Sequence, residues 1–329
     1  MRRVAFLFSL AGWLVFAGCA SEPGPAEPGP AAKELTIAVI PKGTMHIFWK
    51  SVHAGARKAE QDLAGVRVIW QGPVVEDERV AQINLVETFI QKRVDGIVLA
   101  PLDSKALVAP VRAAGEAGIP VVIIDSDLAD PGAYVSFVAT DNHKGGMLGA
   151  KRLAEVLGEK GKVILLRYQV GSASTEDREK GFLDEMARHP NITVVSSDQY
   201  AGATVETAMT AGQALLTKYG EGQVDGIFCP NESSAYGMLR ALVTSGRAGK
   251  IKYVGFDASD GLLEALAKGE IQGLVVQNPF KMGEEGVRTI VSHIRGQEVP
   301  KRVDTGVVLV TPENLSDPEI DRLVHPPVK

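Results

Sequence analysis

The chain has 329 residues, with 35 Lys and Arg against 40 Asp and Glu and a formal net charge of -5. No basic stripe stands out, so composition argues against a nucleic-acid partner. The six histidines are scattered and only His46 and His53 lie near each other, so no metal site and no cofactor are expected.

In chain order the first feature is a leader. Arg2 and Arg3 precede an apolar stretch, Val4 to Ala17, broken only by Ser9 and Gly12. It is too short for a permanent membrane helix and has the length of a signal-peptide core. It ends in Phe16-Ala17-Gly18-Cys19, which resembles the lipobox of bacterial lipoproteins, with Phe16 where Leu is usual. That resemblance implies a signal over residues 1–19 and acylation of Cys19, which becomes the mature N-terminus. Residues 20–34 contain Pro23, Pro25, Pro28 and Pro30 and no apolar periodicity, so they read as an extended tether. A soluble domain held to a membrane only by its lipid, in the periplasm or at the cell surface, is the expected arrangement. With Cys19 lipidated, Cys229 has no partner for an intramolecular disulfide, and no second apolar segment reaches transmembrane length.

From Leu35 the chain is long enough for two lobes of ordinary domain size. Strands are predicted at Leu35–Ile40, Val66–Trp70, Val94–Leu99 and Pro120–Ile124, with helices at Phe48–Leu63, Glu78–Lys92 and Ala106–Ala117 between them. The pattern restarts with strands at Lys162–Leu166, Ile192–Ser196, Val224–Phe228, Lys252–Phe256 and Gln272–Val276. Helices are predicted at Lys144–Leu157, Thr175–Ala187, Val205–Tyr219, Ser233–Thr244 and Gly261–Lys268, with Asp141 and Ser259 as N-caps. A helix at Gly283–Arg295 and a strand at Val307–Val310 follow. The near-continuous apolar strands indicate parallel sheets covered on both faces, so the fold class is α/β with two successive doubly wound units.

In such sheets ligands bind beyond the carboxyl ends of the strands. The residues there are unusually polar or aromatic: Pro41-Lys42, Pro101-Leu102-Asp103, Asp125-Ser126-Asp127, Arg167-Tyr168, Pro230-Asn231-Glu232, Asp257 and Gln277-Asn278. No P-loop, zinc-protease helix or nucleophile elbow is present, and the glycines of Gly145-Gly146-Met147-Leu148-Gly149 have the wrong spacing for a dinucleotide site. A binding pocket explains the polar set better. A monosaccharide needs carboxylates and amides to accept its hydroxyl protons, Lys or Arg to donate, and an aromatic plane against its ring.

Across nearly the full length, the chain resembles the ribose-binding-protein-like branch of type I periplasmic sugar-binding proteins, the soluble receptors of ABC importers. The resemblance is carried by Ile40-Pro-Lys-Gly-Thr-Met-His-Ile-Phe-Trp49, Val94-Asp-Gly-Ile-Val-Leu-Ala-Pro101, Gly118-Ile-Pro-Val-Val121, Thr140-Asp-Asn142, Gly255-Phe-Asp257 and Thr305-Gly306. It implies two lobes joined by a three-stranded hinge near Thr140, Gln277 and Gly306. The first lobe would be residues 35–139 plus 278–305, and the second 140–277 plus 306–329. It further implies polar ligand positions at Lys42 and His46, an aromatic pair at Phe48 and Trp49, and a first-lobe carboxylate at Asp125. Asn231, Asp257 and Gln277 would serve from the second lobe and hinge.

Two departures separate the chain from the pentose binders. Ser126 and then Asp127 follow Asp125 where Arg is usual, and in Ser174-Thr-Glu-Asp-Arg178 the key position is read as Glu176, with Arg178 two residues later. Lys42 with Asp125 and Asp127 is more similar to the rhamnose and autoinducer-2 binders. The expected protein is a monomeric, non-enzymatic lipoprotein that delivers a small sugar or polyol to an ABC permease. A ligand-presenting receptor for chemotaxis or a sensor kinase, and an enzyme acting on sugars, are the open alternatives.

Overall fold

The computed structural model describes residues 34–325, together with Met1 and Ala5. The Cys19 lipobox and the Pro-rich segment lie outside the described residues. From Glu34 on, the chain forms two α/β lobes, each built on one six-stranded sheet.

The first sheet contains β1 (Leu35–Ile40), β2 (Val66–Trp70), β3 (Gly96–Leu99), β4 (Val121–Ile124) and β5 (Ser136–Ala139), and helices α1 (Ile47–Asp62), α2 (Arg79–Gln91) and α3 (Val108–Glu116) alternate with them. The second contains β6 (Gly161–Leu165), β7 (Ile192–Ser196), β8 (Gly226–Phe228), β9 (Lys252–Phe256) and β10 (Gly273–Gln277). Its helices are α4 (Asn142–Val156), α5 (Ala173–Met186), α6 (Val205–Lys218), α7 (Glu232–Thr244) and α8 (Asp260–Ala267). After β10 come α9 (Pro279–Ile294), β11 (Arg302–Asp304), β12 (Val307–Val310) and α10 (Pro318–Val324).

The strand orders are β2-β1-β3-β4-β5-β11 and β7-β6-β8-β9-β10-β12, the same winding used twice. The inner strands β3, β4, β8, β9 and β10 are buried on both faces, which is why they read as near-continuous apolar runs. Alternate residues go to opposite layers: Ile37 and Val39 pack with Trp49, Met282 and Ile290, while Ala38 and Ile40 pack with Phe89, Leu99 and Leu107. Cys229, after β8, is buried and free, and burial pushes its thiol up to about 12, which leaves it inert.

Sequence patterning missed three elements. β5 is four residues long, and β11, which pairs with it in parallel, is the polar triplet Arg302-Val303-Asp304. β5 offers only the short apolar run Phe137-Val138-Ala139, too brief to mark a strand by patterning, and β11 offers none. α10 is a seven-residue helix with no fully buried residue. The sheets are also not wholly parallel, because β12 runs antiparallel to β10. α9 begins at Pro279, four residues before the expected start. Pro suits the first helical turn, and the Asn278 side chain caps it by accepting from the Lys281 N–H at 2.9 Å. Asp141 caps α4 in the same way, from the Lys144 N–H at 3.0 Å, whereas Ser259 occupies a cap position without making the bond.

The chain passes between the sheets after β5, after β10 and between β11 and β12. At two of these crossings Thr140 Oγ1 lies 3.5 Å from Thr305 Oγ1 and donates to the Gly306 carbonyl at 3.3 Å. The helices that follow the first two crossings pack with backbones nearly touching. A Cβ on Gly283 of α9 would lie 1.9 Å from the Val52 carbonyl oxygen of α1, and one on Gly146 of α4 would lie 1.9 Å from the Arg178 carbonyl oxygen of α5. The close α4–α5 packing brings α5, and with it Arg178, against the hinge.

Candidate ligand site in the interlobe cleft

The order of each sheet reverses between its first and third strands, at β1/β3 and β6/β8, and such switch points open a crevice at the carboxyl ends of the strands. The carboxyl ends of β1, β2, β4, β6, β8, β9 and β10 and the segments after them contribute side chains to one narrow cleft of about 30 Å³. The lobes are closed on each other in this arrangement, with room for only a water or two, so a larger ligand enters when they part.

Two aspartates hold equivalent places. Asp125 follows β4 with φ 62°, and Asp257 follows β9 with φ 66°. The Asp125 N–H donates to the Val138 carbonyl at 3.1 Å, and the Asp257 N–H to the Val275 carbonyl at 2.7 Å. Each chain therefore turns through the left-handed region just as it leaves the sheet. Asp tolerates that region better than most residues. The carboxylates enter the cleft from opposite lobes.

Lys42, at the end of β1, pairs with Asp125 Oδ2 at 2.8 Å and donates across the cleft to Ser174 Oγ at 3.1 Å and Ser172 Oγ at 3.3 Å. Asp257 accepts from Gln277 Nε2 at 2.7 Å and from the Glu232 N–H at 3.2 Å. Burial raises the Asp257 carboxyl above the usual carboxylate range, against the opposing pull of Arg178. Arg178 is fully buried. Its Nε donates to Asn142 Oδ1 at 2.8 Å, its Nη1 to the Pro230 carbonyl at 2.9 Å, and its guanidinium lies 4.1 Å over the Phe256 ring. That leaves Nη2, 4.0 Å from Asp125 Oδ1, with no hydrogen-bond partner, and Gln277 Oε1 is likewise unpartnered. Buried polar atoms are seldom left so. A donor and an acceptor thus stand unpaired on one interlobe cleft.

Phe48 and Trp49 form the aromatic wall, edge to face with ring centroids 4.9 Å apart. Trp49 Nε1 donates to Glu76 Oε1 at 2.7 Å, and the Tyr168 hydroxyl of the other lobe donates to Glu76 Oε2 at 2.8 Å. Burial holds the Tyr168 hydroxyl well above its ordinary range, so it remains a donor. His46 lies 3.8 Å from the same carboxylate. Asn231 lines the cleft while its side chain accepts from the Ser234 N–H at 3.3 Å, capping α7.

Nine of the eleven expected side chains meet here: Lys42, His46, Phe48, Trp49, Asp125, Arg178, Asn231, Asp257 and Gln277. Asp127 and Glu176 do not. Asp127 Oδ1 accepts from the Tyr134 hydroxyl and its neighbour's N–H, both at 2.7 Å, and Glu176 Oε1 accepts from the Gly171 N–H at 2.8 Å. The reason at α5 is helical phase. Ser174, Thr175 and Arg178 share one face by i, i+3 and i, i+4 spacing, and Glu176 points elsewhere. Arg178, not Glu176, is therefore the side chain this segment sends into the cleft. The cleft also takes Glu76, Tyr168, Ser174, Thr175, Glu232 and Ser233. Tyr168 and Glu232 stood among the polar residues after strands; Glu76, in the long β2–α2 loop, carried no signal.

A hinged pair of doubly wound lobes around such a cleft defines a type I periplasmic binding protein. Residues 37–298 match the periplasmic binding protein domain family, and the chain belongs to it, within its ribose-binding branch. The chain is 30% identical over 279 residues to the ribose import binding protein of Escherichia coli (strain K12), covering 84% of this chain and 90% of that one. Among solved structures, a carbohydrate transporter solute binding protein from Agrobacterium radiobacter in complex with D-arabinose is 36% identical with a TM-score of 0.85, covering 90% of this chain and all of that one (100%). An ABC transporter solute binding protein from Agrobacterium vitis with bound D-fucose is 37% identical with a TM-score of 0.85, covering 88% of this chain and 100% of the other.

Proposed function

We propose that this protein captures a small sugar or polyol between its lobes and delivers it to an ABC importer in the inner membrane. One observation carries the reading: donors and acceptors from both lobes and an aromatic wall from the first converge on one cleft between the lobes. A ligand that touches both lobes favours the closed arrangement by its differential affinity for it. The binding residues are Lys42, Asp125, Arg178, Asp257 and Gln277, with Phe48 and Trp49 against the ring. Sugar import by the relatives supports transport over the sensory role that the same fold can serve. The cleft binds and releases its ligand unaltered, and the protein works as a monomer.

The test is a thermal-shift screen of the full chain against neutral sugars and polyols, with mass spectrometry of any copurified ligand. A saturating ligand at about 100 times its Kd should stabilise by ~2.7 kcal/mol. Copurification with a permease supports import, and association only with a signalling ectodomain sinks it. Consumption of the sugar on long incubation would contradict a binding role.

Location in the periplasm follows from the family, and among the described residues no helix is long and apolar enough to cross a membrane. The anchor belongs to the same proposal: Cys19 is acylated and the Pro-rich segment links it to the lobes. Cys19→Ser should move the protein from the membrane to the soluble fraction and abolish labelling with a fatty acid. A variant that stays membrane-bound and labelled would refute the lipobox.

A further inference from the structure

Four carboxylates line the cleft, from Glu76, Asp125, Glu232 and Asp257, against two fixed cations, Lys42 and Arg178. Three of the four are well supplied. Glu76 accepts from Trp49 and Tyr168, Asp125 pairs with Lys42, and Asp257 accepts from Gln277 and a backbone N–H and faces Arg178. Glu232 is different. Among the described residues its carboxylate has one hydrogen bond, from the Phe48 N–H of the opposite lobe at 3.4 Å, and no ion pair. It sits at the start of α7, where its own N–H binds the Asp257 carboxylate.

We propose that Glu232 serves the cleft as a neutral carboxylic acid, a specificity-determining residue whose O–H donates to an oxygen of the bound ligand. This rests on the reading of the cleft as a sugar site. Glu232 is partly buried in the closed cleft, and a carboxylate so placed beside a second carboxylate, with no ion pair among the described residues, is stabilised by keeping its proton. The charged groups facing it are Asp257 beyond β9, Glu76 from the β2–α2 loop and Lys50 of α1, with Arg178, Asp125 and His46 further along the cleft. Burial first, and then the Asp257 charge, push the Glu232 carboxyl up to about 8. As an acid it adds a third donor beside Lys42 and Arg178, matching a ligand that presents a ring or hydroxyl oxygen toward α7. An ionised Glu232 would select a hydroxyl proton or an ammonium there instead.

The proton has a consequence that needs no ligand. An unfolded glutamate titrates near 4.3, roughly, so from there up to about 8 the folded chain holds the extra proton and loses stability as pH rises. Glu232→Gln keeps the shape and a donor and lacks the proton. Melting of the full chain in detergent should therefore show wild type and E232Q diverging from pH 5 to 9, with E232Q the more stable by several degrees at the alkaline end. Infrared spectra of wild type at neutral pH should contain a protonated-carboxyl band that disappears on raising the pH through 8 and is missing from E232Q. Parallel melting curves with no such band would overturn the proposal, and so would a band that survives unchanged in E232Q, which would place the proton on Asp257. With D-arabinose, D-fucose and D-ribose as probes, E232Q should bind like wild type at pH 7 and lose no affinity at pH 9, while wild type weakens about tenfold, the scale of one lost hydrogen bond. Affinity of wild type that holds or rises at pH 9 would overturn the donor role. If none of the three sugars shifts either protein, the sugar reading fails together with that donor role, and the melts and spectra still decide where the proton sits.

Discussion

Arg178→Met should abolish sugar-induced stabilisation and lower the stability of the unliganded protein by about 3–5 kcal/mol, the scale for removing one partner of a buried charge network. The guanidinium holds the Asn142 side chain and the Pro230 carbonyl, stacks on Phe256 and faces the carboxylates of both lobes. Met fills much of the volume and makes none of those bonds. Urea unfolding without sugar measures the structural part, and thermal shift with sugar measures the binding part. Arg178→Lys should fall between, since an ammonium keeps the charge but cannot span Asn142 and Pro230 as a planar fork does. Wild-type stability in R178M, with an undiminished sugar shift, would mean that the side chain is only packing.

Asp125→Asn and Asp257→Asn should each remove the ligand-induced stabilisation, ~2.7 kcal/mol at 100 times Kd, and both should still fold, with Asp125→Asn less stable without sugar by about 3–5 kcal/mol because the buried Lys42 loses its partner. Asn is chosen because both positions have left-handed φ, 62° and 66°, which Asn tolerates. Alanine at either site would add a backbone cost of about 1–2 kcal/mol and confuse strain with lost binding. The difference in unfolding free energy between the Ala and Asn variants isolates that cost. Asn variants with undiminished sugar shifts would remove both aspartates from the site.

The fold was legible because strands of parallel sheets leave short runs rich in apolar and β-branched residues, as in Leu35–Ile40, Ile192–Ser196 and Lys252–Phe256, whose observed limits coincide with those read from patterning. β5 escaped because its apolar run is only three residues long, and β11 because a strand stabilised by its neighbour needs no apolar run of its own. The candidate site was legible where a residue directly follows a strand. Lys42, Asp125, Asp257 and Gln277 are set by the end of a rigid element, so their place in sequence specifies their place in the cleft. Glu176 was misplaced because two residues along a helix amount to a turn of about 200°, and phase cannot be read until the start of α5 at Ala173 is known.

By itself, the sequence determined the α/β class, the repeated winding and the set of polar positions beyond the strands, since each follows from local periodicity and burial. Only the tertiary structure decided which of them face one another. Glu76 reaches Tyr168 across 92 residues, and Phe48 meets Glu232 across 184. Such meetings depend on how two lobes pack about three crossings, and no local pattern records a distance between lobes. That the Glu232 carboxylate has no ion pair among the described residues belongs to that same packing.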